Sequence, residues 1–525
     1  MLKLPDQLNA AIYFIDRNVS EGRGQNIAIE CGEQRVTYSQ LLENTSRLGN
    51  ALRDLGVRPE ERVCLVLNDS PEFLYSFFGA IKIGAVPVPV NTLLRPHEYE
   101  YILKDMRAGV LIVSQELLEP VRQARETQPN VTCIAVGADQ PGCLTFDELL
   151  QSASPELTAY PTCKDDTAFW LYSSGSTGWP KGCVHLHHDM LLPTEYYAKA
   201  ILGISQKDRC YSVAKLFFAY GLGNAAYFPL SVGATTILSP ARATPERVYS
   251  DIERFRPTLF YSVPSNYAAL LAHTRMGRDF DLSSIRHAIS AGESLPPALF
   301  QRFQDRFGIE ILDALGSTEM LHMVISNRPG EVKPGASGKI IPGYEARIVD
   351  ENERDVPRGE IGTLLINCDA TCAGYWNQHE KTKDMFRGQW FCTGDKYYQD
   401  EDGYFWYAGR ADDLFKVNGR WLSPTEVEAV LISHPLVGEA AVIPREDGDG
   451  LLKPAAYVAL SSERAPTPEL VTELQKWVAE KLSWHKSPRW IEFLDELPKT
   501  ATGKLQRFKL RELQQAAIQQ KGSQK

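Results

Sequence analysis

The sequence predicts an α/β fold: a largely parallel sheet with helices on both faces, a small antiparallel or barrel-like insert, and a compact α/β unit at the C-terminal end. Three observations predict it. From Thr37 to about Glu319, short apolar runs alternate with segments of helical periodicity, the pattern of βαβ units. A loop of glycines and hydroxyls, Tyr172-Ser-Ser-Gly-Ser-Thr-Gly-Trp-Pro-Lys-Gly182, follows directly on an apolar strand. Beyond Lys339 the strands shorten and are parted by Asp, Pro and Gly turns, until a charged break at Tyr407–Asp413 opens the tail.

The first elements set the pattern. Thr37-Tyr-Ser-Gln40 is a capping box; Leu41, Leu48, Leu52 and Leu55 then recur at helical spacing and Gly56 ends the helix. Arg62–Leu67 reads as a strand, Pro71–Ile83 as an apolar helix, Ala85–Val90 as extended chain, and a further helix and strand follow up to Val113. Chain length fits two to four domains at about 150 residues each. With 43% hydrophobic and 23% charged residues, the composition is that of a folded protein. A net charge of −10 disfavours nucleic acid or an anionic membrane as the main partner. No apolar run suggests a spanning helix, and Met1–Gln7 lacks the features of a secretory leader. Ten cysteines without a C-x-x-C pair fit reduced thiols, so the expected location is cytoplasmic.

The loop after Tyr172 carries the first chemistry. Gly175, Gly178 and Gly182 let the backbone turn its N–H groups inward, Ser173, Ser174, Ser176 and Thr177 add donors, and Lys181 adds a cation. Such a nest suits anionic oxygens. It is not a Walker A loop, because Pro180 stands where a Gly-Lys-Ser/Thr run would begin. In Ile311-Leu-Asp-Ala-Leu-Gly-Ser-Thr-Glu319 a strand runs into Gly316, Thr318 and Glu319. A carboxylate beside a phosphate loop calls for a cation between them, and Mg²⁺, held by one or two carboxylates plus phosphates, is the obvious one.

Other stretches add detail. Ser290–Pro296 is a small-residue turn after a strand, where open α/β sheets bind nucleotides. Asp395, after Trp390-Phe-Cys-Thr-Gly394, is placed to accept from ribose hydroxyls. Phe217-Phe-Ala-Tyr-Gly-Leu-Gly223 reads equally as plain core or as an aromatic wall where glycine allows a ligand close. Val184-His-Leu-His-His188 lacks neighbours at familiar metal-ligand spacing, so a metal site is not expected there. In the tail, Ser423-Pro-Thr-Glu426 is a second capping box, a helix spans about Pro468–Leu482, Lys504 lies on a turn-forming loop, and the chain from Gln514 is expected to fray.

In order and spacing these stretches resemble the adenylate-forming superfamily of acyl-CoA synthetases, firefly-type luciferases and peptide-synthetase adenylation domains, over nearly the whole chain. Within it, Phe217–Gly223 and Gly316–His322 most resemble the benzoate–CoA ligase group. The resemblance implies a large N-terminal domain (1–411) of stacked α/β subdomains plus a small β-barrel-like subdomain, and a small mobile α+β C-terminal domain (412–525) hinged at Asp412. It implies a ligase that joins a small aromatic carboxylate to ATP as acyl-AMP, then to coenzyme A, with Mg²⁺ as cofactor, in a monomer or homodimer. The alternative is a stand-alone enzyme that loads the aryl group onto a separate carrier protein.

The resemblance also implies roles. Ser173, Ser174, Gly175, Ser176, Thr177, Gly178 and Lys181 would enclose the phosphates, Thr318 would touch phosphate, and Glu319 would bind the metal. Ala291, Gly292, Glu293, Asp313, Ala314 and Leu315 would frame adenine, and Asp395 and Arg410 would hold ribose. Lys504 would bridge carboxylate and phosphate in the first half-reaction; Lys416 and Gly419 would serve coenzyme A in the second. Ala219, Tyr220, Gly316, His322 and Met323 would line the acyl pocket, with Met323 where benzoate–CoA ligases carry Ile.

Overall fold

A computed structural model describes residues 2–173, 179–274, 279–410, 413–417, 420–447, 451–461, 466–499 and 505–522. The main sheet has nine strands, in the order Lys339–Ile340, Met323–Ser326, Ile311–Gly316, His287–Ser290, Leu259–Ser262, Arg209–Ser212, Thr235–Leu238, Ile27–Cys31 and Gln34–Thr37. The inner strands, from Ile311–Gly316 to Ile27–Cys31, are mutually parallel; antiparallel pairs close both edges. Helices such as Pro264–Ala272 and Pro297–Phe307 make the crossovers.

A second sheet is parallel throughout: Val86–Pro89, Arg62–Val66, Val110–Ser114, Thr132–Val136 and Leu144–Thr145. Val86–Pro89 tolerates two prolines because it is an edge. The amides of Val86 and Val90 donate inward to Glu61 and Leu65, and the prolines fall between those donors. The antiparallel insert is a five-stranded sheet formed by Glu345–Val349, Gly362–Asn367, Trp390–Gln399, Phe386–Arg387 and Phe405–Arg410.

The small C-terminal domain packs the helices Pro424–Ile432 and Pro468–Lys481 with the sheet Val437–Glu446, Leu452–Leu460, Trp490–Phe493. Two expectations change here. Ser423 does precede the helix, but its hydroxyl pairs with Thr425 Oγ1 at 2.8 Å and makes no cap. The chain past Gln514 continues as the helix Arg507–Gly522, docked by Leu510 against Ala441, Ile443 and Tyr457. The first described residue of the domain is tied to this last helix. Asp413 accepts from Arg511 Nη2 at 2.5 Å and lies 3.4 Å from Arg507 Nη1, and Arg507 in turn bonds both oxygens of Glu428 at 2.7 Å. Among the described residues no helix is long and apolar enough to cross a membrane.

The core between the two large sheets depends on one helix pair. Helix Tyr38–Asp54 begins with the expected capping box: Thr37 Oγ1 accepts from the Gln40 amide, and Gln40 Oε1 accepts from the Thr37 amide. It buries Leu41, Leu48 and Leu52 against helix Pro71–Lys82, which is buried almost all round through Phe73, Phe77 and Phe78. The two cross backbone to backbone. A Cβ on Gly79 would stand 2.9 Å from the Thr45 carbonyl oxygen and 3.2 Å from the Gly49 nitrogen. Alanine normally gains about 1 kcal/mol over glycine inside a helix. Here the opposing atoms are backbone, so the helices must part and overpacking costs about 1–3 kcal/mol. Gly79→Ala is therefore expected to destabilise, read as an earlier urea midpoint than wild type; an unchanged or later midpoint would show that the crossing has slack.

Candidate active site

Strand Thr167–Ser173 does not feed a helix. It pairs antiparallel with Lys181–Leu186, with Ser173 opposite Lys181, so the glycine-rich loop leaves and re-enters one hairpin. Ser174, Gly175, Ser176, Thr177 and Gly178 lie outside the described residues. At the loop's exit Trp179 stacks on Tyr101, ring centroids 4.6 Å apart, and Tyr101 donates to the Pro180 carbonyl at 3.3 Å. This fixes the loop's exit at Trp179 and Pro180 to helix Pro96–Met106.

The return strand gains a third segment, Ala373–Trp376. The amides of Val184, Ala373 and Trp376 bond to Gly374, Val184 and Gly182. This brings in Tyr375, which the sequence reading missed. Its hydroxyl donates to Glu319 Oε1 at 2.9 Å, Ser173 Oγ donates to the same oxygen at 3.1 Å, and Lys181 Nζ stands 4.2 Å from the centre of the Tyr375 ring. Burial first, then the Glu319 charge, pushes the Tyr375 phenol well above its ordinary pKa, so it stays a donor. Ser173, Lys181 and Glu319 thus meet, as a cation beside a carboxylate that two hydroxyls orient.

Thr318 and Glu319 belong to a strained turn between the strands Ile311–Gly316 and Met323–Ser326. Leu321, fully buried, holds φ at 63°, which costs an L-residue about 1 kcal/mol or more. The Leu321 amide bonds the Thr318 carbonyl at 3.2 Å, and the Cys372 amide bonds the Glu319 carbonyl at 2.7 Å. Gly316 has a local reason to be glycine: a Cβ there would lie 2.5 Å from the His322 carbonyl oxygen.

The residues expected at the nucleotide occupy the C-terminal ends of the parallel strands. Ala291, Gly292 and Glu293 follow strand His287–Ser290, and Asp313, Ala314 and Leu315 lie on its neighbour with Ser290 opposite Asp313. The Asp313 side chain is buried and takes the Leu295 amide at 3.4 Å, which draws the Ala291–Leu295 loop over the strand end. Burial pushes the Asp313 carboxyl well above its usual range. Asp395 and Arg410 face each other across paired strands, Arg410 Nη1 donating to Asp395 Oδ1 at 3.0 Å and to the Thr393 carbonyl at 3.2 Å.

Ala219 and Tyr220 lie on the short helix Ala219–Leu222. Tyr220 donates to the carbonyls of Ser262 and Ile289, at 3.2 Å each, which anchors it across two strand ends. His322 packs among Tyr197, Tyr220 and Phe228, with centroids 5.7, 5.8 and 4.4 Å away. Gly223 is what admits it, since a Cβ there would be 2.3 Å from His322 Cδ2. That glycine serves an approach by the protein itself. Ser212 Oγ donates to the Ala214 carbonyl and accepts from Asn224 Nδ2, so Asn224 Oδ1 faces His322 Nε2 at 3.1 Å and accepts its proton. Burial lowers the His322 pKa to about 3, so the ring is neutral. Met323 is buried at the start of the next strand. Lys416 lies in the hairpin Phe415–Val417/Arg420–Leu422 opposite Trp421. Asp412, Gly419 and Lys504 lie outside the described residues.

The histidine run is built into the protein. His185 bonds Asp189 and the Thr318 carbonyl, His187 Nδ1 accepts from the Ala10 amide at 3.1 Å, and His188 reaches the carbonyls of Lys164 and Asp369. Among the described residues no group of three or more His, Cys, Asp or Glu could hold a metal ion.

Comparison with known proteins places this arrangement. Residues 15–376 match the AMP-binding enzyme family, and residues 426–504 match the AMP-binding enzyme C-terminal domain. The chain is 46% identical to a benzoate–CoA ligase of Thauera aromatica, over 97% of both chains. It is 44% identical to a 4-hydroxybenzoate–CoA/benzoate–CoA ligase of Rhodopseudomonas palustris, over 97% of this chain and 95% of the relative. Among solved structures, the anthranilate CoA ligase AuaEII in complex with anthranoyl-AMP superposes with a TM-score of 0.95 at 43% identity, over 98% of this chain and 99% of the other. A benzoate CoA ligase from Burkholderia xenovorans LB400 superposes with a TM-score of 0.89 at 45% identity, over 96% and 99%. With a two-part match of this extent and a hydroxyl-bonded carboxylate beside the glycine-rich hairpin, the chain belongs to the AMP-binding enzyme family.

Proposed function

We propose that the chain is an AMP-forming aryl-CoA ligase acting on benzoate or a substituted benzoate. The observation that carries it is the junction at Glu319, where the glycine-rich hairpin, its lysine and a separate strand turn converge. The aryl substrate is supported by the full-length likeness to benzoate–CoA ligases. In the first half-reaction a carboxylate oxygen attacks the α-phosphorus of ATP; the new C–O–P linkage forms as the α–β bridging bond breaks and pyrophosphate leaves. In the second, the coenzyme A sulfur attacks the acyl carbon, its proton is lost, and AMP leaves.

Anion attacks anion in the first step, so positive groups must be in place beforehand. Lys181, Thr318 and the glycine-rich loop would hold the outer phosphates, and Lys504 would draw carboxylate and α-phosphate together. Glu319 fits Mg²⁺ by its chemistry: a carboxylate whose Oε1 takes the hydroxyls of Ser173 and Tyr375. A hard cation held by one carboxylate would take its other oxygens from phosphates and water, and would supply charge neutralisation there. Asp395 and Arg410 would hold the ribose, and the Ala291–Glu293 turn with Asp313–Leu315 the adenine. Tyr220 and the neutral His322 would flank the aryl ring. Rotation of the C-terminal domain about Asp412 would withdraw Lys504 and bring in Lys416 and Gly419 for the thiol, with water excluded so that the adenylate does not hydrolyse.

The direct test is AMP release with MgATP, coenzyme A and a panel of acids: benzoate, the three hydroxybenzoates, 2-aminobenzoate, cyclohexanecarboxylate and acetate. Preference for a benzoate is expected, and preference for acetate or a saturated ring would reject the aryl pocket. Lys504→Ala is expected to slow adenylate formation about 10²–10³-fold and transfer from preformed aryl-AMP far less, and equal losses would reject the two-face assignment. Tyr375→Phe keeps the ring beneath Lys181 but removes the hydroxyl from Glu319. Loss of that one bond is expected to raise the Mg²⁺ needed for half-maximal rate about 3–10-fold, and an unchanged Mg²⁺ dependence would leave the hydroxyl with a packing role alone.

A further inference from the structure

We propose that His185 is a positioning residue for the nucleotide half-reaction: from the strand that leaves the glycine-rich hairpin, it fixes the turn carrying Thr318 and Glu319. The inference rests on the reading that this turn faces the phosphates.

The turn needs an external anchor. It contains Leu321 at a positive φ; distant segments hold Glu319, through the Cys372 amide on its carbonyl and Ser173 and Tyr375 on its carboxylate, while within the turn the Thr318 carbonyl is bonded by the nearby Leu321 amide. Its Thr318 carbonyl takes a second bond from across the molecule, from His185 Nε2 at 2.9 Å. On the other side of the ring, His185 Nδ1 meets Asp189 Oδ2 at 2.8 Å, and that oxygen also accepts from the Leu186 amide at 3.1 Å. Both side chains are fully buried, and the imidazole lies flat on Phe169, 5.0 Å between centroids at 15°. The ring therefore has no freedom to swing.

The proton position follows from the partners. A carbonyl oxygen can only accept, so Nε2 carries hydrogen whichever of His185 and Asp189 holds the other proton. Asp189 fixes the ring as the orienting acid of a catalytic dyad does, but the proton is directed at a backbone carbonyl instead of a nucleophile. The bond leaves Thr318 at one end and enters at His185 at the other, on the strand that begins at Lys181, so the hairpin and the carboxylate turn are held in register by one polar link. A displacement of about 1 Å at such a turn can cost 10²-fold in rate.

Two nearly isosteric variants separate this role from simple filling. His185→Gln can keep a donor where Nε2 stood and loses the bond to Asp189. His185→Asn can keep the Asp189 bond and loses the one to Thr318. Acid-dependent ATP–pyrophosphate exchange is measured against MgATP and against the acid. The expected result is a rise of about tenfold in half-saturating MgATP for His185→Asn, less than threefold for His185→Gln, and little change for the acid in either. Equal MgATP dependence in the two variants, or a larger effect in His185→Gln, overturns the proposal. If neither variant melts cooperatively, Asp189→Asn loosens the ring without removing the Nε2 donor, so a rise of about two- to threefold in half-saturating MgATP at unchanged acid dependence is expected, and an unchanged value or a rise of about tenfold overturns the proposal. Absence of exchange in the wild type would instead sink the proposed function, so the two failures are distinguishable.

Discussion

Glu319 is the point on which the nucleotide end of this molecule depends. Its carboxylate is bonded by Ser173 from one segment and Tyr375 from another, and its carbonyl by Cys372. Three stretches distant in sequence therefore share one acidic group. Neutral hydroxyl donors orient this half-buried carboxylate. That is what a site for a cation and a polyphosphate requires: a negative centre held in place and still able to interact outward. Lys181 Nζ stands 4.2 Å from the centre of the Tyr375 ring, so the ring that reaches Glu319 through its hydroxyl also holds this cation near the carboxylate.

The architecture serves this point. The parallel strands of the main sheet end where Tyr220, Asp313 and the Ala291–Leu295 loop meet, the position where open α/β sheets place their ligands. The second sheet and the helix pair crossing at Gly49 and Gly79 support the glycine-rich hairpin from behind; strand Val86–Pro89 lies beside it, and Phe77 packs against Phe169. The antiparallel insert adds Asp395 and Arg410 on neighbouring strands. The described residues proposed for the nucleotide thus come from more than one subdomain.

Much of this was legible in the sequence because local chemistry spelled it. Thr37 and Gln40 cap as their types and spacing require, and the alternation of strand and helix follows from periodicity. Residue type and local pattern single out Ser173, Lys181 and Glu319, and the structure brings the three to one junction. What stayed hidden was long-range. Tyr375 lies outside any periodic segment, and only the bridge between residue 183 and residue 375 brings it to Glu319. Gly223 announced a close approach but not what approaches, and the answer is the His322 ring. Metal-ligand spacing says nothing of the histidine run's partners, which are carbonyls, the Ala10 amide and an aspartate. The tail helix past Gln514 looked too polar to persist, yet Leu510 docks it.

The network at Asp413 fixes where the polypeptide can be divided. Asp413 comes directly after the proposed hinge residue, Asp412, but its charge is answered by Arg507 and Arg511, about a hundred residues further on in the last helix. A graft that exchanged small domains between relatives with its seam after Asp413 would part an acid from two arginines and leave Arg507, largely buried, with only Glu428. A seam before Asp413 carries the whole cluster across. In electrostatic terms the small domain begins one residue before its first apolar residue, Leu414, and two before its first strand, Phe415–Val417.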